Sequence, residues 1–174
     1  MTAPAASPGY DSLWDWRRQV SDLYAAVRAA PDPEAAWRHW RAVRDGLFRT
    51  HPQTPIEPGA PFDALPFFPY DPALRLMAAF DPLDGSDEAL PAGADGDLRM
   101  RPFARTRETY GAGRYLLDTI KGADLGAASD GRVVLDFNFA YNPSCSYSDR
   151  YVCPLAPRVN RLPAPVRAGE RAPG

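Results

Sequence analysis

Arg114, Asp136, Asn138, Tyr141 and Asn142 are the residues of this chain whose types and spacing could do chemistry. Asp136 and Asn138 stand two apart in a run where Val133, Leu135, Phe137 and Phe139 alternate with Arg132, Val134, Asp136 and Asn138. That period of two predicts a strand with bulky apolar side chains on one face. It places Asp136 and Asn138 on the other face, about 6–7 Å apart at the usual rise. With Arg114 on a neighbouring strand and Tyr141 and Asn142 just beyond, the set could line a polar pocket. Asp136 would then be the candidate acid or base and Arg114 the anion clamp. The same residues could instead form a buried network, Asp136 paired with an arginine and the asparagines bonding loop backbone.

Cys145 and Cys153 are a second candidate, a redox or disulfide pair with seven residues between them, or else packed thiols. Zinc wants closer cysteine pairs and further ligands, and the sequence offers only His39 and His51, so no metal is expected. The acidic run Asp81–Asp97 lacks calcium-loop spacing, because Asp84-Gly85-Ser86-Asp87 has neither the alternating ligands nor the distal Glu, and it reads as a solvated loop. Gly111-Ala112-Gly113 lacks the third glycine and the following helix of a dinucleotide fingerprint. No cofactor is expected.

The elements that must position these residues separate along the chain. Leu13, Trp16, Val20, Leu23 and Val27 recur at helical steps, predicting a helix over about 12–29 with Ser12 as its cap. Asp32 before Pro33 is a cap and first-turn signature, and Ala36, Trp37, Trp40, Val43 and Leu47 continue a second apolar stripe to about Phe48. Trp14, Trp16, Trp37 and Trp40 read as core at this spacing. Prolines then recur from Pro52 to Pro72, predicting extended chain anchored by Phe62, Leu65, Phe67, Phe68 and Tyr70. Residues 75–80 read as a short strand or a turn of helix, 98–103 as a strand, and 114–120 as a strand pairing antiparallel with 132–139.

Composition sets the outer bounds. A chain of 174 residues supports one domain with a real core. Its formal net charge of -2 gives no field to attract nucleic acid or an anionic membrane. No apolar run approaches a membrane span and no signal peptide is evident, so the expected location is cytoplasmic. The 20 prolines, about twice the usual share, predict short elements and long loops.

Several stretches together resemble a bacterial and archaeal family, domain of unknown function 1684. They are Thr109–Leu116 (TYGAGRYL), Asp136–Tyr147 (DFNFAYNPSCSY), Tyr151–Pro157 (YVCPLAP), Asn160–Pro163 (NRLP) and Ala168-Gly169-Glu170. Phe48–Ile56 and Phe67–Pro72 match more loosely. The resemblance covers about residues 37–80 and 103–170. It implies a β-rich domain with N-terminal helices and carries no established activity. Relatives have a β-rich stretch where this chain has its acidic loop, which implies a smaller sheet.

The expected fold is therefore α+β in a single domain. A helical pair is packed on a small antiparallel, partly barrel-like sheet with long Pro-rich loops. The segments are a tail over 1–9, helices over 10–50, loops over 51–97 and the β-rich motif over 98–170. The preferred function is small-molecule binding at a polar pocket on the 114–142 sheet face. An enzyme using Asp136 and Arg114, or a structural or protein-interaction module, are the alternatives.

Overall fold

A computed structural model describes residues 9–79, 89–91, 97–99, 113–116, 122–152 and 165–173. Helix α1 spans Tyr10–Ala29 and α2 spans Pro33–Thr50. Helix α1 begins earlier than Ser12 would cap it; its N-cap is Gly9, whose carbonyl receives the Ser12 hydroxyl at 2.8 Å. Helix α2 starts as expected, with the Asp32 carboxylate accepting from the Glu34 and Ala35 amides and Pro33 in the first turn.

Strand β1, Arg75–Ala78, pairs antiparallel with β4, Val133–Asp136, in the register Arg75 to Asp136 and Ala78 to Val133. The expected partner of β4 was 114–120. Instead Tyr115 bridges Tyr141, beyond the strand, and 117–120 lie outside the described residues. A second antiparallel pair joins β2, Ala89–Pro91, to β3, Asp97–Arg99. The acidic run read as a loop thus contains a strand. Among the described residues the sheets are two-stranded and do not close into a barrel.

Strand β4 is also shorter than its alternation suggested. The Asp136 carboxylate accepts from the Asn138 amide at 3.0 Å and starts a 3-10 turn over Phe137–Phe139. The turn sends successive aromatics into different cores. Phe137 packs with Leu116, Leu135, Ala140 and Ala168, whereas Phe139 joins Leu23, Val27, Trp37 and Trp40 between the helices. Trp40 is fully buried and meets Phe139 and Phe67 at ring-centroid distances of 5.2 and 5.6 Å. Trp14 departs from the core reading: it is 64% exposed, on the outer face of α1.

Candidate functional site

The turn after β4 has core on both sides, so Asp136 and Asn138 are fully buried. They do not face a solvent-open sheet surface. Asp136 Oδ1 accepts from the amide and side-chain nitrogens of Asn138 at 3.0 and 2.8 Å. Its Oδ2 accepts from Arg75 Nη1 at 3.1 Å, directly across the β1–β4 register. Asn138 exchanges two hydrogen bonds with the backbone of Asp71, both 2.8 Å, and its carbonyl receives the Trp37 indole N–H at 2.9 Å. Buried polar atoms are costly unless bonded, and this node binds β4, α2 and the Pro-rich segment to one another.

Arg114 is elsewhere. Its guanidinium donates to the carbonyls of Val166 at 3.1 Å and Glu170 at 2.9 Å, and also to that of Ala168. Burial pulls this guanidinium down to about 10, against the opposing pull of the Glu170 charge, so it stays a cation at neutral pH. It gathers the Ala168-Gly169-Glu170 turn. Gly169 has φ of +73°, and a Cβ there would sit 2.8 Å from the Phe137 carbonyl oxygen and closer still to that of Ala140. Only glycine suits that position. The turn aims Glu170 inward.

Glu170 is the centre that reading from the sequence missed. It is fully buried; Oε1 accepts from Arg44 Nε and Nη2 at 3.0 and 2.5 Å. Oε2 accepts from the Asn142 amide at 2.7 Å and the Tyr147 hydroxyl at 2.8 Å. Burial, aided by the Glu170 charge, pushes the Tyr147 phenol up, which keeps its proton available as a donor. For Arg44 burial works against the charge, but the Glu170 carboxylate and the nearby phenols more than offset it, and the net direction is up. Asn142 Nδ2 bonds the Arg171 carbonyl at 2.7 Å and the Tyr147 hydroxyl at 3.3 Å. The Tyr141 ring lies 5.6 Å from that of Tyr115, with the Arg44 guanidinium 4.8 Å away over it. Glu170 lies in the Ala168-Gly169-Glu170 stretch of the resemblance, but no local pattern marks its pairing with Arg44, because the two lie 126 positions apart and meet only in the fold.

The candidates therefore fall into two nodes. Asp136 and Asn138 belong to one, with Arg75 and Asp71; Arg114, Tyr141 and Asn142 belong to the other, with Arg44, Tyr147 and Glu170. Cys145 sits half-buried in a 3-10 turn over Ser144–Ser146, while Cys153 lies outside the described residues. No group of three or more metal-ligating side chains occurs among the described residues. No described helix is long and apolar enough to cross a membrane.

One opening borders the first node. A cavity of about 40 Å³ lies where the α1–α2 corner meets β1 and the 122–139 segment, lined by Val27, Arg28, Ala36, Arg75, Leu125 and Phe139. Arg28 Nη1 donates to the carbonyls of Gly122 and Asp124 at 3.0 and 2.9 Å. Only the Nη1 nitrogens of Arg28 and Arg75 are engaged in hydrogen bonds among the described residues, so both guanidinia keep spare donors.

The fold and its two buried nodes define an α+β domain stitched by arginine–carboxylate pairs. The family described as "Protein of unknown function (DUF1684)" matches residues 98–171, the stretch that supplies Arg114, Asp136, Asn142 and Glu170. The resemblance to that family read from the motifs thus stands over this part of the chain. Among solved structures, the solution NMR structure of an uncharacterized protein from Haloarcula marismortui is similar. It is 29% identical at a TM-score of 0.51, covering 79% of this chain and 93% of that one. No curated protein matches.

Proposed function

We propose that this is a small-molecule-binding domain whose recognition groups are Arg28 and Arg75 at the cavity beside the first node. The observation that carries this reading is that Arg75 plays two parts. One nitrogen bonds buried Asp136, and the residue also lines the cavity together with Arg28. Fixed guanidinia with free donors recognise planar or tetrahedral anions well. A space of this size admits one charged group, with the remainder of a ligand lying outside. The anion-clamp role suggested for Arg114 therefore moves to Arg75. An acid–base role for Asp136 loses support, since both oxygens are occupied by N–H donors in a site without solvent access.

An NMR screen of small carboxylates and phosphates against the labelled protein tests this reading. Amide shifts at Ala36, Leu125 and Phe139 that saturate with ligand, and vanish in Arg28→Met, are expected. A screen to high millimolar concentration that leaves those amides unmoved would sink it. A second reading, a protein-interaction module, is favoured by the aromatic pair Tyr10 and Trp14 standing exposed one turn apart on α1. It predicts binding that is lost in Trp14→Ala and unaffected in Arg28→Met.

A further inference from the structure

The cavity beside the first node is lined by two cations, and each already has an acid of its own. Arg75 Nη1 meets Asp136 Oδ2 at 3.1 Å, and Arg28 Nη1 stands 3.7 Å from Asp124 Oδ2. Asp124 is held in place, because its Oδ1 accepts the Gly126 amide at 2.9 Å. Arg28 is held as well. The carbonyls of Gly122 and Asp124 take its Nη1, and the backbone at Gly126 abuts its stem, where a Cβ would lie 3.5 Å from Arg28 Cδ. Both pairs are fixed parts of the wall.

The other charges nearby are acidic. Pro33 lines the cavity at the start of α2, and its neighbours are Asp32 and Glu34. Asp32 accepts the Glu34 and Ala35 amides, and Glu34 is paired with Arg38. Tyr70 registers the field of these groups. Burial first, and then the Asp136 charge, push its phenol up, with Arg75 opposing and Glu34 and Asp32 adding to the rise. Arg28 and Arg75 are the only cations that line the cavity among the described residues. The opening thus offers spare N–H donors without spare positive charge. Donors favour any oxyanion, whereas each negative charge it carries is repelled by Asp124 and Asp136.

We infer that the cavity selects a singly charged oxyanion, the carboxylate of a small organic acid, and rejects a dianion such as a phosphate monoester. The inference rests on the reading of this cavity as an anion site and names the class of anion it takes. A carboxylate brings two acceptor oxygens to two guanidinia and adds one charge. A phosphate monoester brings the same bonds with a second charge that no further cation meets.

The test separates charge from shape with acetate, planar and singly charged, methanesulfonate, tetrahedral and singly charged, and sulfate, tetrahedral and doubly charged. Each is titrated into labelled protein at neutral pH and at constant ionic strength set by sodium chloride, and the amides of Ala36, Leu125 and Phe139 are followed. Acetate and methanesulfonate should saturate with similar midpoints, and sulfate about tenfold more weakly. Asp124→Asn removes one negative charge and keeps the carbonyl that holds Arg28. In that variant the sulfate midpoint should improve by about tenfold and that of acetate by less, so that the gap closes. Sulfate that binds the parent as tightly as acetate overturns the inference and leaves the cavity an anion site. A gap unchanged in Asp124→Asn also overturns it. Silence from all three anions removes the cavity reading and the inference together.

Discussion

Two buried carboxylates organise this molecule, and they differ in where their arginine stands. Glu170 meets Arg44, whose side chain is 11% exposed, and four donors converge on its two oxygens. Asp136 meets Arg75, whose side chain is 33% exposed and lines a cavity. The first pair is sealed and can only hold structure. The second is closed on the carboxylate side and open on the guanidinium side. A structural ion pair of this kind keeps donors to spare only when its cation reaches the rim.

Removing a carboxylate from each node breaks the comparison if the difference in depth is not real. Glu170→Gln leaves Arg44 buried without a counter-charge and puts an amide N–H where two N–H or O–H donors already point. The expected loss is about 3–5 kcal/mol, the range for breaking a buried pair, read as a fall in the midpoint of a denaturant melt. Asp136→Asn should cost about 1–3 kcal/mol, because Arg75 can turn its charge toward water. Equal losses for the two variants would remove the distinction.

The arginines sharpen the same contrast. Arg114→Met strands the carbonyls of Val166, Ala168 and Glu170 and loosens the turn that aims Glu170. Arg75→Lys keeps a charge near Asp136 and should be the milder change, by about 1 kcal/mol or more. The Lys variant should nevertheless lose ligand-induced amide shifts at Leu125 and Phe139. If it retains them, Arg75 is a structural partner only.

How much of this could be read from the chain depends on whether the signal is local. Both helices follow from their stripes and from Asp32-Pro33, because the periodicity and cap chemistry lie within one turn of each other. The alternation at 133–139 correctly marks β4 but overruns its end. An Asp at 136 followed by Asn at 138 can cap a turn as readily as extend a strand, and burial on both sides decides between them. The identity of Asp136 as an arginine partner was one of the two readings open from sequence. Which arginine was not, since Arg75 and Asp136 meet only through the β1–β4 register. Trp14 shows the limit of composition: four tryptophans on two helices suggest core, yet one points outward. Glu170 stood inside a stretch shared with the family, but its pairing with Arg44 carried no signal short of the fold.

A third acid–base pair, with a half-exposed carboxylate, extends the series and should give the smallest effect. Asp15 on α1 accepts from His51 Nε2 at 3.1 Å, just past the end of α2, and from Gln19 at 2.7 Å. His51 Nδ1 accepts the Gln53 amide at 3.0 Å, so the proton on a neutral ring sits on Nε2 and faces Asp15. The hydrogen bond from His51, then that from Gln19, holds the Asp15 carboxyl below its ordinary value of 3.8. A carboxyl depressed in the folded state contributes stability that is fully present above the unfolded value and is lost as pH falls through the folded one. Asp15→Asn should therefore lower the melting midpoint slightly at pH 6, with the gap to the parent closing as pH drops below 3.8. Because the Asp15 side chain is about half exposed, at 48%, solvent screens its end of the pair, and the whole effect should be smaller than at Asp136 or Glu170. A gap that widens toward acid would mean the carboxylate is not stabilised by folding. A gap as large as that of Asp136→Asn would show that burial depth is not what ranks these pairs.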